Sequence, residues 1–451
     1  MIAPHTLVAM DHRHLWHPFT QMADWLGEDP LVIAEAEGCW LIDTHGRRYL
    51  DGVSSLWCNV HGHRHPVLDA ALRAQLGRVA HTTLLGLGGV PSIELAHALV
   101  QVVPPGLTRV FYSDAGATAV EAALRIALQF QQLRGAAGRT RFASLVEAYH
   151  GDTLGAVGVG YSETFHHFVA GVVQPAVRLT PPHVFRWQRG LDAEAALGAA
   201  LDDAERTLAA HGESLAAVII EPLVQGAAGI WTHPPAYLRA VHELAHRHGA
   251  LFIADEVATG FGRTGRLFAC EHASISPDLL CLAKGISGGY LPLAATLATE
   301  EVFSAFLGPY EDFRAFFHGH TYTGNALACA VALASLEVFA MERTLERLQP
   351  KIARLQGRLR GEIAPLRHVG DVRQQGVMVG IELVADRAAR SPFPAAARMG
   401  QRVARAARAR GVVLRPLGNV VVLMPPLAIA PEDLDLLLDV TGDAIREATG
   451  G

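Results

Sequence analysis

The chain has 451 residues, of which 50% are hydrophobic and 18% are charged, the balance of a globular protein with a large core. Its formal net charge is −6 without a basic tail, which argues against nucleic acid or an anionic membrane as a partner. No signal-peptide pattern and no run of about 18 apolar residues occurs, so we expect a cytoplasmic protein that does not cross a membrane. Five scattered cysteines without Cys-x-x-Cys spacing are typical of reduced thiols.

The first 60 residues predict an irregular arm with short strands at GCWLID and RRYLDGV. From about residue 109, short apolar runs alternate with helical stretches, which we place at about 118–133, 192–210 and 235–248. The runs are RVFYSD, FASLVEAY, AAVIIEP, ALFIADEV, LLCLAK and LAATLA. Because these runs lack strict polar alternation, they predict an α/β fold whose mainly parallel sheet is covered by helices on both faces.

The pattern changes after about residue 330. A long helical segment is predicted from Ala326 to Ile363, followed by short strands in VMVGIELV and VVLRPLGNVVVLMPP and a closing helix at 431–448. We therefore predict three parts. An arm, 1–60, contributes to the small domain and the active site; a large domain spans 61–325; and a smaller α+β domain spans 326–451.

Lysine is almost absent from this chain. Of the 38 cationic residues only Lys284 and Lys351 are lysines, and all others are arginines. Lys284 ends the apolar run LLCLAK. Arginine stays protonated under nearly all conditions, whereas a desolvated lysine can lose its proton and act as a nucleophile or base. Lys284 is therefore a candidate catalytic residue.

Two further groups are expected at the same end of the sheet, where open α/β folds bind ligands. Asp255 ends the run LFIAD, and Val257 follows on the same strand face. Thr118 and Glu121 fit a capping box, which would put Gly116 and Ala117 at a helix N-terminus suited to a phosphate. Each feature alone has an ordinary structural explanation, an ion pair or a capped helix. Together with Lys284 they are the parts that a pyridoxal phosphate site needs.

The segment from Leu251 to Val302, LFIADEVATGFGRTGRLFACEHASISPDLLCLAKGISGGYLPLAATLATEEV, resembles the signature of class III pyridoxal-phosphate aminotransferases. Four others resemble the 7,8-diaminononanoate synthases of biotin biosynthesis within that family: HLWHPFTQM, DGVSSLWCNVHGHRHP, AYHGDT and RPLGNVVVLMPP. The resemblance spans about residues 14 to 445 and implies a fold-type-I enzyme.

The resemblance assigns a role to each site residue. Lys284 forms the Schiff base and moves the proton, and Asp255 pairs with the pyridine nitrogen. Tyr149 and Val257 flank the cofactor ring. The phosphate is held by Gly116 and Ala117, and by Thr321 reaching into a neighbouring subunit. The residues implied for substrate binding are Phe19, Trp57, Gly319 and Arg415, the last taking a carboxylate.

The resemblance implies a homodimer that aminates 8-amino-7-oxononanoate. The expected amino donor is S-adenosylmethionine. Lysine is the alternative, because Phe19 and Leu56 stand where relatives that use adenosylmethionine carry tyrosine and tryptophan. Another class III ω-amine aminotransferase remains open, and outside the class a non-catalytic scaffold, which would lack a chromophore.

Two motifs are set aside. GFGRTG, Gly260 to Gly265, matches G-x-G-x-x-G, but it neither follows a strand directly nor opens an apolar helix, as a dinucleotide site requires. The histidines of HGHRH, at 61, 63 and 65, lack an evident acidic partner, so we expect a turn cluster and no metal site.

Overall fold

A seven-stranded sheet forms the centre of the protein, as seen in a computed structural model that describes residues 2–450. Neighbouring strands run parallel except Ala294–Thr299, which is antiparallel to both of its neighbours. The middle strands are buried along their whole length, which explains their unbroken apolar runs. In spatial order the strands are Leu107–Ser113, Ala294–Thr299, Leu279–Leu282, Leu251–Asp255, Leu215–Ile220, Arg141–Leu145 and Val177–Leu179. The predicted mainly parallel α/β sheet is confirmed.

Helices cover this sheet, and the three predicted at 118–133, 192–210 and 235–248 are confirmed to within two residues. One face of the Gly116–Leu133 helix carries small buried residues, among them Ala119 and Ala123. They belong to the same buried apolar cluster as Ile219 and Ile253 of the sheet. The α-helices are Pro4–His14, Met22–Trp25, Ser54–Trp57, Pro66–Leu76, Val90–Val102, Gly116–Leu133, Leu154–Val159, Glu163–His166, Ala193–His211, Pro235–Arg247, Cys270–Ala273, Glu300–Ser304, Ala326–Met341, Thr344–Arg358, Met399–Ala409 and Pro431–Thr449. In the described residues 2–450, no helix combines the length and apolarity that crossing a bilayer requires.

Two smaller sheets and a hairpin complete the fold. The first sheet joins the N-terminal arm to the C-terminal part, because Val412–Val413 pairs in parallel with Arg48–Asp51. Its other strands are Ile33–Glu37 and Trp40–Asp43. The second contains Val369–Gln375, Met378–Asp386, Val420–Leu423, Arg415–Leu417 and Ser391–Pro392, and the hairpin consists of Val224–Gln225 and Trp231–Thr232.

The prediction of a long helical segment from Ala326 to Ile363 is wrong in one respect, namely its continuity. It is broken into Ala326–Met341 and Thr344–Arg358, with Arg343 in the left-handed region at a φ of 51°, and a π-helical turn, Leu359–Ile363, follows. The first helix is apolar almost all round, whereas the second has only one buried face. The break contains neither glycine nor proline, so the usual signals of a helix end are missing.

Candidate active site

A cavity of about 670 Å³ opens at the carboxyl ends of three adjacent parallel strands. Asp255 ends one strand, Glu221 directly follows the next, and Lys284 lies two residues beyond the third. The cavity brings together seven of the residues named from the sequence, namely Trp57, Gly116, Ala117, Tyr149, Asp255, Val257 and Lys284.

Lys284 is held in an uncommon backbone conformation. Its φ is 47°, in the left-handed region that few residues other than glycine adopt. Its ammonium nitrogen lies 5.1 Å from the centre of the Trp57 ring. Burial lowers the pKa of Lys284, against the opposing attraction of Asp255 and Glu221. A neutral amine is therefore more accessible here than on the protein surface.

The Asp255 carboxylate is fixed by two donors. Nδ1 of His150 donates to Oδ2 at 2.7 Å, and the Val257 amide donates to Oδ1 at 3.0 Å. Asp255 and His150 are 4% and 3% exposed, and Nε2 of His150 has no hydrogen-bond partner among the described residues. Sequence reasoning missed His150, although it directly follows Tyr149 in the quoted segment AYHGDT.

The predicted helix N-terminus is present, but the predicted capping box is wrong. Helix Gly116–Leu133 begins after Ala115, and Thr118 Oγ1 accepts the Ala115 amide at 3.0 Å from the third helical position. Glu121 instead accepts the amide of Gly155 at the start of another helix. The amides of Gly116 and Ala117 are left without intrahelical partners, as first-turn amides are.

Two glycines allow the backbone to come close around this helix end. A Cβ on Gly116 would lie 2.6 Å from a methyl carbon of Val257. A Cβ on Gly151, whose φ is +120°, would lie 2.4 Å from that of Ala117. Any side chain at either position would therefore push apart the walls of the cavity.

Tyr149 connects the cavity to its outer rim. Its hydroxyl donates to Asp152 Oδ2 at 2.7 Å, and burial together with this bond raises the pKa of the phenol, which stays neutral. The His166 ring stacks near it, with centroids 6.5 Å apart. Phe19 lies further out: it is 60% exposed, does not line the cavity, and meets the neighbouring Phe165 edge-on at 6.0 Å.

The loop that carries Trp57 is strained and anchored. Ser54 and Trp57 have φ values of 51° and 66°. The fully buried Arg263 holds this loop by donating to Ser54 Oγ, the Asn59 carbonyl and the Pro425 carbonyl, at 3.0, 2.8 and 2.9 Å. Arg263 belongs to the G-x-G-x-x-G segment, where no helix starts at the last glycine, because the next begins at Cys270.

Three other residues named from the sequence lie outside the cavity lining. Gly319 and Thr321 are exposed, and the Thr321 carbonyl accepts from His81 at 2.8 Å. Arg415 is partly buried near Tyr149, and burial lowers the pKa of its guanidinium.

The histidines of the HGHRH motif each contact a different partner. His61 contacts Ser335 at 3.0 Å, His63 contacts Asp51 at 3.6 Å, and His65 contacts Glu342 at 3.0 Å.

Sequence reasoning also missed Glu221. Its two carboxylate oxygens accept the amides of Tyr149 and Gly226, at 3.1 and 2.8 Å. Burial, and then the nearby Asp255, raise the pKa of Glu221 to about 7, although His150 opposes this. The signal was available, since Glu221 follows the apolar run AAVII just as Asp255 ends LFIA.

Comparison with known proteins identifies the family of the chain. Residues 22–445 match the family model for class III aminotransferases. An adenosylmethionine-8-amino-7-oxononanoate aminotransferase from Nitratidesulfovibrio vulgaris is 57% identical, over 98% of this chain and 82% of its own. The crystal structure of an enzyme of the same name from Methanocaldococcus jannaschii has a TM-score of 0.93 at 43% identity, covering 98% of this chain and 99% of that one.

A third similar protein is an (S)-enantioselective omega-transaminase from Thermomicrobium roseum. Its crystal structure has a TM-score of 0.94 at 34% identity and covers 98% of each chain. The fold-type-I prediction is thereby confirmed, and the scaffold alternative is set aside. The chain belongs to the class III aminotransferases and is a pyridoxal-phosphate-dependent enzyme.

Proposed function

We propose that this enzyme aminates 8-amino-7-oxononanoate to 7,8-diaminononanoate in biotin biosynthesis, with S-adenosylmethionine as the amino donor. The name and 57% identity of the relative from Nitratidesulfovibrio vulgaris support the substrate and the donor. The observation that carries the chemistry is the meeting of Lys284, the Asp255–His150 pair and the first amides of a helix in one cavity.

The donor set in the cavity fits pyridoxal phosphate. Lys284 offers an amine, Asp255 a fixed carboxylate for a ring nitrogen, and Gly116 and Ala117 offer free amides for a phosphate. When bound, the cofactor supplies an aldehyde that reacts with amines and a ring that withdraws electrons from the amine-bearing carbon.

Each residue of the chain then has a defined task. Nζ of Lys284 would anchor the cofactor. Once free, it would remove the proton from the amine-bearing carbon of the donor in the first half of the reaction, and it would deliver a proton to the carbon of the acceptor that gains the amine in the second half. Asp255 keeps the ring nitrogen protonated by its negative charge. Tyr149 and Val257, which both line the cavity, would hold the cofactor ring and keep water away from the reacting carbon.

Substrate recognition is assigned to residues beyond the reacting carbon. We propose that Arg415 takes the carboxylate of the acceptor, since its partly buried guanidinium lies near Tyr149. Trp57 lines the path to Lys284, Phe19 contributes at the rim, and Gly319 acts in the site of the neighbouring subunit.

The function is tested by mixing the holoenzyme with S-adenosylmethionine and 8-amino-7-oxononanoate and identifying the diamine by mass spectrometry. Arg415→Met is expected to raise the KM for the acceptor at least tenfold. The methyl ester of the acceptor, which lacks the charge, is expected to be used equally by both proteins. No diamine formed by the wild type contradicts the proposal.

A second candidate function is amine transamination of a different carbonyl compound. It is favoured by the similarity to the Thermomicrobium roseum omega-transaminase, whose TM-score is 0.94. Turnover of a simple ketone without a carboxylate, unaffected by Arg415→Met, would favour this second function.

We also propose that the enzyme is a homodimer with shared active sites. Leu85 is 89% and Tyr322 is 60% exposed, and their segments adjoin, because His81 Nε2 donates to the Thr321 carbonyl at 2.8 Å and the His81 and Tyr322 rings lie 4.8 Å apart. Such an exposed apolar face suits a second copy of the chain. In this arrangement Thr321 would reach the phosphate site of the neighbouring subunit.

A complementation assay tests the shared site. Lys284→Ala and Thr321→Ala chains, each with low activity, are mixed, dissociated and reassembled. One site of the mixed dimer then has both defects and the other has neither, so activity is expected to recover. Recovery does not occur if each site is built from one chain alone.

Two further proposals concern the division of the chain into domains and its location in the cell. The division into an arm at 1–60, a large domain at 61–325 and a small domain at 326–451 is supported by the strand pairing of the arm with Val412–Val413. A cytoplasmic location is supported by five cysteines that form no disulfide.

A further inference from the structure

Glu221 is a buried acid for which the reaction described above has no use. It is 4% exposed and lines the cavity, yet no Lys or Arg of the described chain forms an ion pair with it. Its two oxygens are both occupied by backbone amides, those of Tyr149 and Gly226. A buried carboxyl group without a cation is costly to ionise, so its presence needs a reason.

The two amides belong to separate walls of the cavity. Tyr149 follows the Arg141–Leu145 strand, whereas Gly226 lies in the turn of the hairpin between Val224–Gln225 and Trp231–Thr232. Gly226 also packs beneath Trp57, since a Cβ at this position would lie 3.1 Å from the indole ring. Glu221 therefore links the Tyr149 wall to the wall that supports Trp57.

Glu221 and Lys284 line the same cavity, so a negative charge on Glu221 favours the protonated form of the Lys284 amine. The titratable groups that face Glu221 are His150 and Asp255. Those that face the Lys284 amine are Asp255, Glu221, Cys58 and Arg263. Below about pH 7 Glu221 is neutral, and Asp255 is then the principal anion near the amine. Above that pH an ionised Glu221 adds a second negative charge, which favours the protonated amine.

We propose that Glu221 is a positioning residue: it joins the Tyr149 and Gly226 walls, and its charge sets how readily Lys284 gives up its proton. This inference rests on the proposed role of Lys284, but it does not depend on which carbonyl compound the enzyme uses.

The chain contains its own control for a charge effect. Glu256 is also fully buried, and its oxygens accept the backbone amides of Ala269 and Cys270 at 2.7 and 2.8 Å. Burial raises the pKa of Glu256 to about 7 as well. Glu256 does not line the cavity and is not among the principal groups that act on Lys284. Glu256→Gln therefore matches Glu221→Gln in burial and in the loss of a carboxylate that accepts two backbone amides, and it differs in one further acceptor bond, from Thr259 Oγ1 at 3.3 Å.

The test measures the Lys284 amine directly. The full chain is freed of cofactor and reductively methylated across a pH series, and each lysine peptide is quantified by mass spectrometry. Only the neutral amine reacts, so the pH of half-maximal labelling reports its protonation. Because the chain has only one other lysine, Lys351, whose Nζ donates to the Leu427 carbonyl at 2.8 Å, that residue serves as an internal reference.

Glu221→Gln is expected to lower the labelling midpoint of Lys284 by roughly half a pH unit or more, the size of effect that one partly buried charge produces nearby. Glu221→Asp retains the charge and is expected to keep the labelling midpoint of Lys284. Its shorter side chain cannot hold the amides of both Tyr149 and Gly226, so the KM for the amino acceptor is expected to rise. Glu256→Gln is expected to leave the Lys284 midpoint unchanged, and Lys351 should not respond to any variant.

An unchanged Lys284 midpoint in Glu221→Gln overturns the proposal, as does an equal shift in Glu256→Gln. If Glu221→Gln does not fold, Glu221→Met removes the same charge without burying an amide and is judged by the same midpoint. Labelling requires no substrate, so failure to aminate 8-amino-7-oxononanoate would leave this result unaffected.

Discussion

His150 and Asp255 form a buried pair on the floor of the cavity, with Nδ1 of the imidazole 2.7 Å from Oδ2 of the carboxylate. Both side chains are almost completely shielded from water. The histidine fixes the direction of the carboxylate, and the Val257 amide holds its other oxygen. The carboxylate that we propose as the partner of the cofactor nitrogen is therefore oriented before the cofactor binds.

His150→Leu is expected to destabilise the protein by about 3–5 kcal/mol, because it leaves a buried carboxylate without its partner. His150→Asn can place an amide donor near the position of Nδ1 and should recover much of this loss. Thermal unfolding and the rate of cofactor release measure the two effects. Equal behaviour of the two variants would mean that the hydrogen bond to Asp255 is unimportant.

Asp255→Asn keeps the shape of the side chain but removes its charge. We expect turnover to fall by roughly 10³-fold or more, about 4 kcal/mol of transition-state stabilisation. Asp278 is the matched control, since it also pairs with a histidine, His246 at 2.8 Å, and accepts a backbone amide, that of Phe252 at 2.7 Å. Near-wild-type turnover in Asp255→Asn, or an equal loss in Asp278→Asn, would refute the role.

Lys284→Ala is expected to abolish turnover while the fold is retained, because no other lysine of residues 2–450 lines the cavity. Lys284→Arg should fail as well, since a guanidinium cannot serve as the amine. Borohydride reduction of the wild-type holoenzyme should attach the cofactor to the peptide containing Lys284. Attachment to the Lys351 peptide would show that the assignment is wrong.

Glu256 is expected to make stability depend on pH. Its pKa in the folded protein is raised to about 7 from 4.5, so the folded state holds a proton that the unfolded state has released. Stability from this group is complete below pH 4.5 and is lost as the pH rises to about 7. The melting temperature of the wild type minus that of Glu256→Gln should therefore decrease over this range. A constant difference would contradict the raised pKa.

The residues at the strand ends could be predicted because the signal for each of them lies within a few consecutive residues of the sequence. An apolar run that ends in Asp255 or precedes Lys284 identifies a buried parallel strand, and parallel strands end at one edge of their sheet. The same signal, an acidic residue directly after an apolar run, marks Glu221. His150 could not be found this way, because its contact with Asp255 depends on the order of strands in the sheet.

Other parts of the site are beyond the reach of a sequence pattern. The T-x-x-E pattern predicts Thr118 as the N-cap, but the N-cap is Ala115 and Thr118 is the third residue of the helix, a register that the pattern alone does not fix. Thr321 and Gly319 lie on the exposed face, where their proposed roles require a second subunit. Those roles stay predictions until the complementation assay is done.

The amino donor is the last prediction, and it concerns the rim near Phe19. We expect S-adenosylmethionine to change the absorbance of the bound cofactor in stopped-flow mixing, and lysine not to do so. Phe19→Tyr should speed this step about fivefold, since one hydroxyl contributes about 1 kcal/mol of hydrogen bonding. The control is Phe168→Tyr, a ring 89% exposed, which should have no effect. A fast response to lysine and none to S-adenosylmethionine would show that lysine is the donor. The physical reason would be size, since lysine is the smaller molecule and needs fewer contacts with the rim, where Phe19 and Leu56 replace tyrosine and tryptophan.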